Sequence, residues 1–242
     1  MCHSYSHLVK KMKRKCSCSH NYSLKIAIIL NLFLFFTSVG TSFADTLPLD
    51  ELIAKAQERY EKTQDLKAQF IQEVTIKSVN KTEKEEGVVY VKNPRRMLWV
   101  YSKPKAKKLI INPKKAWLYI PEDHAAYVQD TENIYKSKLA VKFLSGIGKL
   151  SEDFDVGFSK PDNVDKNGNY LLTLVPKVSD TGVDELHITI DKENFQIIQC
   201  SFTDLYGNNT RIHLTDIRIN NNLDDKFFNF KPPSGVEVFN MP

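Results

Sequence analysis

The stretch GVVYVKNPRRMLWVYSKP, residues 87–104, decides the fold. It reads as two short strands around an Asn-Pro break. An antiparallel sheet with one wet face alternates apolar and polar residues. Here Val88, Val89, Tyr90 and Val91 run together, and Met97, Leu98, Trp99, Val100 and Tyr101 do the same. Strands that are apolar on both sides need a cover on each face.

Upstream, Leu49, Leu52, Ile53, Ala56 and Tyr60 recur at helical spacing and form one apolar stripe. Pro48, Asp50 and Glu51 suit the start of that helix. From Ala68 the period changes to two: Phe70 to Ile76 is a strand, and Lys81 to Glu86 a charged hairpin leading into the opening stretch. Downstream, Leu109–Ile111, Ala116–Ile120 and Ala125–Val128 continue a meander with short connections. Ile134, Leu139, Ala140, Phe143, Leu144 and Ile147 return to helical spacing, and Gly146 and Gly148 end that helix.

More strands follow at Phe154–Phe158, Tyr170–Val175, Leu186–Ile190, Ile197–Phe202 and Arg211–Ile219, with turns at Asn167-Gly168 and Tyr206–Asn209. Residues 224–242, with Phe227, Phe228, Phe230 and Pro232-Pro233, read as a terminal segment folded back on the body. The pattern predicts a mainly β protein with some α: one strongly curved antiparallel sheet of about ten strands, with two helices over its concave face. Short helices fit such a sheet imperfectly, and the mismatch is a candidate cavity.

The first 44 residues stand apart. They hold Lys10, Lys11, Lys13, Arg14, Lys15 and Lys25 with no acidic residue, then an apolar run from Ile26 to Phe36 and a small-x-small ending at Ser42-Phe43-Ala44. That is the pattern of a cleaved secretory signal. The alternative, a membrane anchor, needs about 20 apolar residues. Met12 is an alternative start. No Cys directly follows the apolar run, which argues against lipidation of the chain itself. Residues 45–242 are expected to form a single domain.

The chain carries 34 basic and 29 acidic residues. Without the six leader cations the remainder is 28 against 29, net about −1, and a nucleic-acid role loses its electrostatic support. Cys200 is the one cysteine outside the leader and sits in an apolar strand, so it is expected to be small and buried. No Cys-based metal site, His-x-x-x-His pair, phosphate loop or nucleophile elbow is present, so the expectation is neither an enzyme nor a cofactor or metal protein. Asp153 and Asp155 read as a solvated strand face. His187 and His213 alternate with apolar neighbours and should point outward. Lys103, Lys105, Lys107 and Lys108 form a basic cluster, either a solvated loop or a docking patch for an acidic surface.

The order of segments resembles the periplasmic outer-membrane lipoprotein carrier family, LolA. The resemblance runs from residue 48 to the end. It includes Phe70-Ile71-Gln72, Gly87 through Lys92-Asn93-Pro94 to Tyr101, and Trp117–Pro121. It also takes in Phe143–Gly148, Asp204–Asn208 and Phe230–Val236. It implies an incomplete β-barrel with helices as a lid over an apolar cavity. It implies a monomeric periplasmic chaperone that takes acylated lipoproteins from an inner-membrane transporter toward an outer-membrane receptor. A non-carrying module that senses lipoprotein or binds protein is the alternative.

Apolar stripes of both periods, with the resemblance, predict a lining of Leu52, Ile53, Ala56, Tyr60, Phe70, Met97, Trp99, Trp117, Phe143 and Leu144. Met97 is expected near the mouth, where Met97→Glu would spare the fold. Where the family commonly has an Arg that holds the lid, this chain has Asn93. Arg95 and Arg96 lie close by on opposite strand faces, so one of them could substitute.

Overall fold

The computed structural model describes residues 47–132, 150–178 and 182–241. Helix α1 (Leu49–Glu61) starts where the sequence places it. Leu52 N donates to the Pro48 carbonyl (2.9 Å), and Asp50 and Glu51 occupy the first turn. At the other end the Thr63 hydroxyl donates to the Arg59 carbonyl (2.8 Å) and closes the last turn. Leu52 and Ala56 form its buried side. A second, one-turn helix, α2 (Leu150–Asp153), precedes the later strands.

The described residues hold twelve strands, numbered in chain order. They are β1 (Asp65–Ile76), β2 (Lys81–Lys92), β3 (Arg96–Lys103), β4 (Lys107–Ile111), β5 (Lys115–Ile120) and β6 (Ala125–Asp130). The second half holds β7 (Phe154–Phe158), β8 (Tyr170–Pro176), β9 (Val183–Ile190), β10 (Ile197–Asp204), β11 (Asn209–Ile219) and β12 (Glu237–Asn240). They make one sheet in the order β12-β6-β5-β4-β3-β2-β1-β11-β10-β9-β8-β7, with β12 and β7 as edges, so the sheet does not close into a barrel. Every pair is antiparallel except β12, which runs parallel to β6.

Two details correct the sequence reading. Lys81–Glu86 is not a hairpin turn but the first half of β2. The reversal is a 3-10 turn at Lys77–Val79, completed by Asn80 with a φ of 47°. The meander also gains the parallel β12, whose four residues, all exposed, carry no strong alternation. The helix expected over 131–148 lies almost wholly outside the described residues.

Register assigns the faces of the opening stretch. Val89 is opposite Trp99, Tyr90 opposite Leu98 and Val91 opposite Met97. Val89, Met97, Trp99, Tyr101, Phe70 and Ile212 form one buried cluster on the inner face. Cys200 is paired with Ile212, so the cluster that α1 makes with β8, β9 and β10 lies on that same face. On the outer face Leu98 and Ile110 pack with Phe228, together with Tyr90, Val100, Trp117 and Phe230. The second cover is therefore the chain's own C-terminal segment. Fully burying a side chain such as Phe228, which has no exposed surface, contributes about 1.5–3 kcal/mol.

That segment is pinned at its start by Asp65, which is 3% exposed. The backbone N–H of Asn221 (2.6 Å) and of Leu223 (3.0 Å) and the Asn221 amide (3.0 Å) all donate to its carboxylate. Asn220 and Asn222 take left-handed φ values of 56° and 58°, conformations Asn tolerates and β-branched residues do not. Further along, Asp225 receives Lys92 (2.6 Å) and Arg96 (2.8 Å) from the end of β2 and the start of β3. Gly87 is required where it stands. A Cβ there would lie 2.0 Å from the Val100 carbonyl oxygen and 2.9 Å from the Phe70 ring.

Candidate functional site

The inner face is not filled. Between the C-terminal end of α1 and strands β1, β2, β3, β10 and β11 lies a cavity of about 80 Å³. Its walls are mainly apolar, with Leu66, Val89, Val91 and Trp99 on one side and Ile197 and Leu214 on the other. Tyr60 closes it from the helix, and burial pushes its hydroxyl pKa well above the ordinary tyrosine range. The void falls where two packed clusters meet: α1 follows the β8–β10 half with Leu52 and Ala56, and its last turn overhangs the β1–β3 half.

The roof is held by a small polar set. Asn93, just past β2, donates its side-chain amide to the Thr63 carbonyl (2.8 Å) and its backbone N–H to Gln64 O (2.9 Å). Gln64 N in turn donates to the Asn220 side chain (2.9 Å). Asp65 begins β1 directly below. Desolvation pulls its carboxyl pKa upward, but the donors from Asn221, Leu223 and Asn222 outweigh this and hold it below the usual carboxylate range. The cavity wall thus shares its anchor with the C-terminal segment on the other face.

The predicted lining divides. Tyr60 and Trp99 face the cavity, and Asn93 borders it. Leu52 and Ala56 are buried in solid packing against β8–β10, with Ile53 beside them. Phe70 is buried under Gly87 and meets Trp99 (4.6 Å between centroids) and Tyr101 (5.0 Å) edge-on. Met97 is 2% exposed and accepts the Trp99 indole N–H at its sulfur, so it is a core residue and not at a mouth. A charge there would be buried, so Met97→Glu is expected to cost the fold rather than spare it.

Trp117 is on the wrong face. It pairs with Ile110, not with the Trp99 row, and its ring lies 5.5 Å from Phe230. The reason is parity: Ala116 faces inward opposite Ile111, so its neighbour must face out. Phe143 and Leu144 lie outside the described residues.

Neither arginine takes over the motif position. Arg95 is an exposed turn residue with a φ of 60°, and Arg96 faces outward to Asp225. Asn93 itself supplies the tether to the end of α1. Of the basic cluster, Lys103 faces Glu86 (3.3 Å), Lys105 faces Glu122 (3.1 Å) and Lys107 faces Glu85 (2.7 Å), so three of its four cations lie beside a carboxylate. Residues that sequence reasoning missed include Arg59, Leu66, Val91, Ile197 and Leu214 of the lining. Val91 was legible in principle, since it alternates with Val89 onto the Trp99 face.

A family model described as outer membrane lipoprotein carrier protein LolA matches residues 61–231, well over half of the chain. An outer-membrane lipoprotein carrier protein of Pseudomonas paraeruginosa is 28% identical over 214 residues, covering 87% of this chain and 98% of that one. The protein of the same name from Methylococcus capsulatus is 28% identical over 174 residues, 72% of this chain and 80% of that one. Among solved structures, an uncharacterized conserved protein from Thermus thermophilus shares the fold, with a TM-score of 0.51 at 13% identity. It is matched over 79% of this chain and 98% of its own.

Proposed function

The chain belongs to the LolA family of outer membrane lipoprotein carrier proteins, and from that premise we propose that it shelters lipoprotein acyl chains in the cavity beneath the end of α1. On this reading residues 1–44 are removed on export and the mature chain works in the periplasm. It takes cargo from an inner-membrane transporter and passes it toward the outer membrane. The energetics require a host. Each buried methylene is worth about 0.8 kcal/mol, so a chain of ~16 carbons left in water costs on the order of 12 kcal/mol.

The observation that carries the proposal is a mainly apolar void bounded by Trp99, Val91 and Leu214, under strands whose other face is packed beneath the C-terminal segment over β2–β5. At about 80 Å³ it is well short of the ~300–1,000 Å³ typical of ligand pockets. Cargo therefore has to widen it. The part placed to yield is the roof: Thr63 and Gln64 are held by hydrogen bonds from Asn93 and to Asn220, whereas Leu52 and Ala56 are locked into the neighbouring core. Lifting the end of α1 joins the void to the apolar inner face of β1–β3.

Binding of a fluorescent fatty acid to the purified protein tests this, with Val91→Trp to fill the void. The expected result is binding by the wild type and at least about ten-fold weaker binding by the variant at unchanged melting temperature. Equal binding by both places the acyl chain elsewhere and defeats the proposal.

A further inference from the structure

One residue of the cavity wall is held in a backbone conformation that its side chain disfavours. Among the described residues seven non-glycine residues have a left-handed φ, and six of them are polar or charged. The seventh is Phe195, at a φ of 58° in the turn between β9 and β10. The turn dictates that conformation. Phe195 N donates to the Asp191 carbonyl (3.0 Å), and Asp191 N to the Gln196 carbonyl (2.8 Å). Glu193 N and Asn194 N both donate to the Asp191 carboxylate (2.9 Å each). Glycine or asparagine would meet that demand with less strain, and a bulky side chain there is an outlier. Such strain persists where the surroundings hold it, and it gathers at ligand clamps. Phenylalanine serves nothing in the backbone here, so its ring has to.

The ring stands where the cavity wall meets solvent. Lys192, Glu193 and Asn194 before it are exposed, whereas Gln196 and Ile197 after it line the cavity. Phe195 lines it too, and is half-buried against the cluster that holds Leu52 and Ala56 of α1. Lys55 Nζ lies 5.1 Å from the ring centroid. Lys55 and Arg59 are one helical turn apart on α1, and Arg59 borders the same cavity. The ring thus lies on the flank of α1 that leads to the overhanging end. The roof has two kinds of attachment: polar bonds from Asn93 on the β2 side, and this ring on the β10 side.

Resting on the carrier reading above, we propose that Phe195 closes the cavity on its β10 side and competes with an incoming acyl chain for that space. An alkyl chain that enters past Ile197 has to displace the ring from α1. The hydrogen bonds of the turn run through backbone and through Asp191, not through the ring, so the ring can swing aside while the turn stays formed. Competition from a built-in apolar group weakens the hold on cargo. A carrier needs that weakening if it is to let go.

The test compares the wild type with Phe195→Gly and with Phe195→Asn, both of which accept the left-handed conformation. In a Trp117→Phe background Trp99, buried in the wall of the same cavity, is the one remaining tryptophan. Removing the ring is expected to raise the acrylamide quenching constant of Trp99 about two-fold or more, with the circular dichroism spectrum unchanged. A fluorescent fatty acid should bind both variants about ten-fold tighter than the wild type. Quenching or affinity that does not change overturns the inference. So does weaker binding, the mark of an ordinary wall contact, and so does loss of the fold in both variants, the mark of an ordinary core residue. Each of these leaves the carrier reading intact while the wild type binds the probe. A wild type that binds no fatty acid defeats the carrier reading, and the quenching then decides by itself whether Phe195 closes the cavity.

Discussion

The two faces of β2–β5 are built from the same apolar residue types and end in opposite states. On the outer face Leu98, Ile110 and Trp117 meet Phe228 and Phe230 from the C-terminal segment, and that side is packed. On the inner face Val89, Val91 and Trp99 line a void under a helix end held by a few hydrogen bonds. One face has a cover made to fit, delivered by the chain itself and riveted at Asp65 and Asp225. The other has a cover anchored to a neighbouring core and overhanging at its tip. The outer side is closed by the tail, and the unfilled space lies on the inner side.

The comparison breaks most severely through its two deepest side chains. Phe228→Ala should cost about 3–5 kcal/mol, as for large core truncations, and strip the cover from the outer face. Urea denaturation with a shifted midpoint would record it. Met97→Glu should be of similar severity because its carboxylate has no route to water, and circular dichroism should show lost structure before any binding defect can be read. A Met97→Glu protein that melts like the wild type would return Met97 to the cavity rim.

Asp65→Asn comes next. It keeps the shape but exchanges charge-assisted hydrogen bonds to Asn221 and Leu223 for weaker or mismatched ones, at about 2 kcal/mol. The pH dependence has a sign. The folded-state pKa of Asp65 lies below its ordinary value, so its contribution is fully present above about pH 4 and is lost as pH falls through the lower folded value. The gap between wild type and Asp65→Asn should therefore narrow on acidification. A gap that widens there would mean the carboxylate is not what holds the tail. The smallest effect belongs to Asp225→Asn. Lys92, by hydrogen bond and charge, and then Arg96 hold its carboxyl below the usual range, but the site is exposed. The variant should melt only slightly lower, and the difference should disappear in high salt.

The element order was readable because most segments keep one period. The stripe of α1 buries Leu52 and Ala56 as spaced, and Cys200 lies where an apolar strand puts a small residue. Burial there pushes its thiol pKa up to about 12. Trp117 shows where this reading ends. In Ala116-Trp117-Leu118-Tyr119-Ile120 every residue is apolar, so alternation says which residues share a face but not which face is inside. Only the pairing of Ala116 with Ile111 decides it.

Met97 misled for a related reason: its face was right, but depth along a strand leaves no mark in periodicity. The Asp65 anchor links residues some 156 positions apart, and its one trace is the run Asn220-Asn221-Asn222, which reads as a loop until its carboxylate partner is known. Asn93 was visible as a departure at the family's motif position, but its bond to Thr63 exists only once the roof is assembled.

The chain has two tryptophans, one on each face: Trp99 at the cavity and Trp117 under the tail. Quenching by a brominated fatty acid in single-tryptophan variants tests the central claim directly. Bound probe should quench the emission of Trp117→Phe, where only Trp99 remains, and leave that of Trp99→Phe, where only Trp117 remains, nearly unchanged. Quenching confined to Trp117, or absent from both at saturating probe, would contradict an acyl chain held on the inner face.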